Sequence, residues 1–85
     1  MRVEDLREQE SVVEAVLFTM GQSVEIRQLA AALESTEKEA AAAAERLRER
    51  YDEEDRGMQI LRLEDSYQMS TRTKFYSNLI KVAAT

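Results

Sequence analysis

Carboxylates are the only abundant side chains in this chain that could perform acid–base chemistry. Its 85 residues include 17 Asp and Glu but no His and no Cys, so the commonest general base and the thiolate nucleophile are both missing. Paired carboxylates act as acid and base only where an apolar pocket shifts one pKa towards neutrality. These carboxylates are spread over the polar faces of predicted helices, and no glycine-rich phosphate loop is present. The sequence therefore predicts no catalytic residue, no metal site and no cofactor.

An aromatic side chain in the first predicted helix points instead to recognition. On the helical period, Phe18 lies opposite the apolar stripe of that helix, with Ala15 and Ser11 nearby. Two interpretations are open. In one, the second strand or the final helix folds back to cover Phe18. In the other, the three residues form a stripe that faces a partner, in which the aromatic side chain supplies most of the binding energy.

Tyr76 and Ile80 hold a comparable place near the carboxyl terminus. They lie on the side of the last predicted helix that faces away from Phe75 and Leu79. These two residues also have two interpretations, since they either pack against a missing downstream domain or extend a protein interface. The predicted interface therefore consists of Ser11, Ala15, Phe18, Tyr76 and Ile80.

The first helix that must carry this surface is predicted over residues 6–20. Asp5 is placed to cap its amino end together with Glu8, and Gly21 is placed to end it. A single stripe at the helical period is predicted to face the core. It contains Leu6, Val12, Val13, Val16, Leu17 and Met20.

Two further helices follow and are joined by a tight turn. A strand of two or three residues at Ser23 and Val24 leads to a helix over residues 26–34. Thr36 and Glu39 match a capping box for a third helix that reaches about Asp52. Such a pair of helices is typical of a helix-turn-helix. The predicted inward residues of the third helix are Ala40, Ala43, Ala44, Leu47 and Tyr51.

Alternating residues then predict two strands, over residues 58–63 and 67–72. The turn between them contains no Gly, so Asp65 is predicted to adopt the unusual backbone conformation. A short helix from Lys74 is predicted to end at Thr85. Three helices followed by a β-hairpin predict an α+β winged helix, with residues 1–85 forming a single domain.

Several segments together resemble a bacterial family, segregation and condensation protein B, in their order and spacing. The similarity covers nearly the whole chain, although no single motif is highly specific. The segments are residues 13–18, Gly21, residues 29–33, residues 56–60, residues 67–71 and the pair Phe75-Tyr76. Ser23 and Glu25 depart from the family pattern before the second helix, which predicts a weaker helix cap. Asp65 and Ser66 replace the glycine common in the wing turn.

The resemblance implies a non-enzymatic subunit of the bacterial chromosome condensation complex. Its members carry two winged-helix domains, of which this chain would be the first. That domain is expected to form a homodimer and to hold the kleisin subunit, segregation and condensation protein A (ScpA), which connects it to the SMC ATPase. The expected location is the cytoplasm, at the nucleoid, since the longest apolar run is too short to span a bilayer.

A DNA-binding transcriptional regulator is the alternative function, because helix-turn-helix domains commonly insert a helix into the major groove. The net charge of −5 argues against it. On the third helix Glu45 and Glu49 interrupt the basic positions, and in the wing Glu64 and Asp65 offset Arg62. The sequence therefore predicts no direct sequence-specific binding of nucleic acid.

Overall fold

Residues 2–83, the part of the chain that the structure describes, form four α-helices and three short strands. The structure is a computed structural model. Its elements in chain order are α1 (Leu6–Met20), β1 (Val24–Glu25), α2 (Ile26–Leu33), α3 (Glu37–Glu53), β2 (Met58–Arg62), β3 (Ser66–Thr71), a 3-10 turn (Thr73–Phe75) and α4 (Tyr76–Ala83). The order matches the predicted winged helix, so the α+β fold class is confirmed. The predicted end of the last helix at Thr85 lies outside the described residues.

Side-chain and glycine caps fix the ends of α1, as its sequence predicts. The Asp5 carboxylate accepts a hydrogen bond of 2.9 Å from the Glu8 amide, which satisfies one of the free amides of the first turn. At the other end Gly21 adopts a left-handed conformation, with φ of 64°, and donates to the Leu17 carbonyl. Because only glycine enters this region without steric cost, Gly21 ends the helix.

Helix α2 is better capped than the departure at Glu25 suggests. The side-chain oxygen of Gln28 accepts a hydrogen bond of 2.9 Å from the Glu25 amide, which is one half of a capping box. The Glu25 carboxylate itself accepts from Arg27 at 2.8 Å, and Gln28, three residues into the helix, compensates for the weaker cap expected at Glu25. The turn to α3 then passes through Glu34, with φ of 53°, and Thr36 accepts from the Glu39 amide at 3.1 Å.

The strands form one antiparallel sheet in the order β1-β3-β2. Ile60 pairs with Met69 across the hairpin, and Tyr67 pairs with Val24 of the short first strand. The prediction for Asp65 was wrong. In the described chain the non-glycine residues with positive φ are Glu34 and Asp55, and Asp65 instead accepts the Ile26 amide through its carbonyl at 2.9 Å. The wing turn is therefore held against the start of α2.

Apolar side chains from α1, α2, α3 and the sheet form the core. The five inward residues predicted for α3 are all buried, as is Met69. Along α1 the covered face is shorter than predicted, because Leu6 and Met20 are 57% and 48% exposed. Burial on α1 is confined to its middle turns, where α2, α3 and β3 cover it. The buried residues of α1 are Gln9, Glu10, Val13 and Leu17.

Helix α4 stands apart from the rest of the fold. It packs extensively only against the 3-10 turn before it, and the molecule is correspondingly elongated, at 45 × 23 × 22 Å. Phe75 is half-buried, but Leu79 is 47% exposed. Leu79, on the same side of this helix as Phe75, stays uncovered because no core surface extends far enough to reach it.

Candidate protein-interaction surface

The three arginines of α3 form salt bridges with acidic side chains. Glu10 of α1 has a side chain only 5% exposed, and its carboxylate accepts from Arg46 at 3.2 Å and from Arg50 at 3.0 Å. Burial alone would raise the pKa of Glu10, but the hydrogen bonds from Arg50 and Arg46 outweigh it and lower the pKa below its usual range. This buried ionic contact joins α1 to α3.

A second ionic group joins α3 to the wing. Tyr67 is fully buried, and its hydroxyl donates to Glu45 at 2.5 Å while it accepts from Arg62 at 2.7 Å. Arg48 and Arg62 both lie within salt-bridge distance of Glu45, at 3.4 and 3.3 Å. Burial and the Glu45 contact raise the pKa of the Tyr67 phenol to about 12. The contacts among Tyr67, Glu45 and Arg62 hold the wing against α3.

These contacts argue against DNA recognition by α3 and the wing. A DNA reader presents Lys and Arg as an uninterrupted positive face to the phosphates. Within residues 2–83, Glu10 lies between Arg46 and Arg50, and Glu45 lies between Arg48 and Arg62. The four arginines therefore do not form a continuous positive ridge.

Phe18 lies exposed on the surface of α1. Its side chain is 74% exposed, so within the described residues neither the second strand nor the final helix covers it, and that it faces a partner stays a prediction. Ala15 is exposed beside it. Ser11 is also exposed, but it borders a charged cluster with Glu14 and Arg56. Of the three predicted residues on α1, Ala15 and Phe18 therefore provide exposed apolar surface.

Tyr76 and Ile80 form a second exposed apolar strip, on α4. They are 51% and 66% exposed, and Leu79 and Val82 are further exposed apolar side chains of this helix. Helices α1 and α4 do not pack extensively against one another. The structure therefore places the five predicted interface residues on two separate surfaces, one on each helix.

An apolar groove lies between α4 and the open end of the hairpin. Its volume is about 590 Å³, and it is open to solvent along one side. The Arg56 guanidinium stacks 4.6 Å from the centre of the Tyr51 ring at its edge, and the Tyr51 hydroxyl donates to Glu14. Burial and the Glu14 contact raise the pKa of Tyr51. Lining side chains include Tyr51, Met58, Thr71, Phe75 and Leu79.

No prediction from the sequence included this groove. Met58 belongs to a predicted strand and Leu79 to the predicted final helix, and nothing in the local sequence shows that a groove separates the two elements. One signal was present, since the final helix carries apolar residues around more than half of its circumference, as a helix covered on two sides would.

Within the described residues no acidic side chains are grouped as a metal site, and no helix is long and apolar enough to cross a membrane.

The family comparison agrees with this fold and with the resemblance in the sequence. The model of the family described as "Segregation and condensation complex subunit ScpB" matches residues 11–85. The chain belongs to the ScpB family. Proteins named segregation and condensation protein B from Lachnoclostridium phytofermentans and Caldanaerobacter subterraneus subsp. tengcongensis are 33% and 43% identical over 93% and 88% of the chain. The chain spans only 42% and 44% of the length of these two ScpB relatives.

Two solved ScpB structures share the fold. One is described as a dimer of the ScpB N-terminal domain complexed with a ScpA peptide. It has a TM-score of 0.84 and 33% identity, and the match covers 91% of this chain and 96% of that one. The ScpB structure from Mycobacterium tuberculosis has a TM-score of 0.88 and 26% identity, covering 96% of this chain and 51% of that one. The family description names a complex subunit and no reaction.

Proposed function

We propose that this chain is the N-terminal winged-helix domain of a ScpB subunit, which dimerises and holds the kleisin ScpA. The single observation that carries this is the match to a dimeric ScpB N-terminal domain in complex with a ScpA peptide, which covers 96% of that chain. Through the kleisin, the subunit would act on the SMC ATPase at the nucleoid, in the cytoplasm, without catalysing a reaction. A second winged-helix domain would follow in the longer protein.

The exposed apolar side chains support a role in binding other polypeptides. Aromatic and aliphatic anchors at the centre of an interface contribute most of its binding energy. Phe18 is 74% exposed and Ile80 is 66% exposed in the isolated chain, and both are large enough to serve as anchors. We assign the interface to Ser11, Ala15, Phe18, Tyr76 and Ile80.

Light scattering and peptide titration test this function. We expect the chain to be dimeric at micromolar concentration and to bind a fluorescent ScpA peptide, with affinity that depends only weakly on salt because the anchors are apolar. Phe18→Glu is expected to weaken dimerisation or peptide binding about a hundredfold, which is the loss of a strong interface anchor. Thr19→Glu places the same charge on the adjacent exposed position of α1 and serves as the control. A chain that stays monomeric and does not bind the peptide would refute the proposal.

Titration with duplex DNA distinguishes the proposed function from the alternative, a DNA-binding transcriptional regulator. Binding by a transcriptional regulator would be tight at low salt and would weaken steeply as salt rises, since it releases counterions from the phosphates. We expect fluorescence anisotropy to show no such binding. The paired arginines of α3 leave few free cations for phosphates. Tight, salt-sensitive binding would favour the regulator.

A further inference from the structure

A largely buried arginine ties the segment that leads into α4 to the end of α3. Arg72 lies between β3 and the 3-10 turn, and its side chain is only 17% exposed. Its Nε donates to the Arg56 carbonyl at 2.5 Å, and its Nη2 donates to the Tyr51 carbonyl at 3.1 Å and to the Asp52 carboxylate at 3.0 Å. The guanidinium therefore joins three oxygens at, and just beyond, the carboxyl end of α3.

The carboxyl end of α3 favours a cation at this place. The last carbonyls of a helix lack partners within the helix and carry partial negative charge. Residues 52–55 are all acidic, so they add to the negative charge there. An arginine suits the position because its planar guanidinium presents several donors in fixed directions, whereas a lysine carries a point charge on a flexible stem. The sequence places Arg72 about 20 residues away, so its role arises from the tertiary structure.

Helix α4 has few other contacts that could fix its direction. It has eight residues and packs extensively only against the 3-10 turn. The backbone of Arg72 forms the junction with that turn, since its amide donates to the Gly57 carbonyl at 3.1 Å and its carbonyl accepts from the Phe75 amide at 3.1 Å. Lys74 adds an ion pair with Asp55 at 3.2 Å, but both side chains are more than half exposed, and such pairs contribute little.

We infer that Arg72 is a positioning residue, which fixes the direction in which α4 leaves the core and thereby the place of Tyr76 and Ile80. The inference rests on the proposed function, which assigns these two residues to the interface. If only a fraction of the molecules holds α4 in the binding direction, the apparent dissociation constant of the partner rises by the inverse of that fraction. Arg72 therefore affects affinity through α4, from a place where it is itself largely covered.

Distances between spin labels test the inference without a partner. The chain contains no Cys, so labels can be attached at Glu49→Cys on α3 and Lys81→Cys on α4. An excess of unlabelled chain removes distances between copies. Lys81 lies about 8 Å along α4 from its first residue, so a tilt of about 30° moves it by about 4 Å. We expect a narrow distance distribution in the parent and one broadened by at least this amount in Arg72→Met.

Two controls separate positioning from loss of the fold. Lys74→Met removes the exposed ion pair in the same segment and should leave the α3–α4 distribution unchanged. Labels at Glu8→Cys and Glu49→Cys report on α1 and α3, and their distance should stay the same in every variant that folds. If Arg72→Met does not fold, Arg72→Lys replaces it, since Lys keeps the charge but loses the guanidinium donors, and it should also broaden the α3–α4 distribution.

The light-scattering and peptide assays give the second readout. Arg72→Met should raise the dissociation constant of the dimer or of the ScpA peptide on the order of tenfold, as expected if about a tenth of the molecules hold α4 in the binding direction. Lys74→Met should change neither constant by more than about threefold. An α3–α4 distribution that stays narrow in Arg72→Met and Arg72→Lys overturns the inference. A broadened distribution with both affinities unchanged supports the positioning of α4 by Arg72 and refutes instead the assignment of Tyr76 and Ile80 to the interface.

Discussion

Replacing Glu10 by Gln is expected to destabilise the fold by about 2 kcal/mol at pH 7. The carboxylate is almost fully buried and accepts from both Arg46 and Arg50. Hydrogen bonds to a charged group are worth about 1.5–3 kcal/mol each, and breaking a fully buried pair costs about 3–5 kcal/mol. Both arginines are 33% exposed, so they regain water contacts, which lowers the cost to about 2 kcal/mol.

The pH dependence of this loss distinguishes the ionic contact from simple packing. The folded-state pKa of Glu10 is lower than its ordinary value of 4.5. Above pH 4.5 the carboxylate is ionised in both the folded and unfolded states, and its stabilisation is complete. As pH falls through the lower folded-state pKa, the carboxylate becomes protonated and the stabilisation is lost. The difference between the parent and Glu10→Gln should therefore be largest near neutral pH and shrink in acid.

Urea unfolding at pH 7 and at several acidic pH values measures this difference. The protein concentration must be equal throughout, because dimerisation adds to the apparent stability. A loss of about 2 kcal/mol corresponds to a fall in Tm of about 8–16 °C for a domain of this size. Glu49→Gln removes an exposed charge from α3, the helix that carries both arginines, and should change stability by less than about 0.5 kcal/mol. If Glu10→Gln is as stable as the parent at pH 7, the free-energy cost of burying the Glu10 carboxylate equals the stabilisation from its two arginine contacts, and the expected loss is refuted.

Three further substitutions test the local contacts. Gly21→Ala should cost about 1 kcal/mol in thermal unfolding, because φ is 64° and the added methyl group meets no atom, whereas Gly21→Asn should cost less. Thr36→Ala should lower the stability of the fold by about 1 kcal/mol, with Thr36→Ser retaining the cap. Tyr67→Phe should cost about 1 kcal/mol below pH 10, since Glu45 and Arg62 remain open to water. Because the phenol has a raised pKa of about 12, its stabilisation of the parent should disappear between pH 10 and 12, and a spectrophotometric titration showing Tyr67 ionising at its ordinary pKa would contradict this.

The local features of the fold were predictable from the sequence because each depends on residues a few positions apart. The caps at Asp5 and Thr36, the left-handed end at Gly21 and the inward face of α3 are all present as predicted. The helical period also placed Phe18 opposite the covered face of α1, although its exposure was left open and was decided by the tertiary structure. Hydrogen bonds between neighbouring residues and the period of 3.6 residues are sufficient to predict these features.

The length of each covered surface depended on tertiary packing. Leu6 and Met20 lie on the apolar stripe of α1 but beyond the elements that cover its middle. Glu10 is buried because two arginines reach it from a helix about 40 positions away in the chain, which no local pattern encodes. Helix α4 and the groove beside it likewise arise from where the hairpin and α3 end in space. The periodicity of the sequence determines which face of a helix is apolar. How much of that face stays exposed for a partner depends on how far the neighbouring elements extend over it.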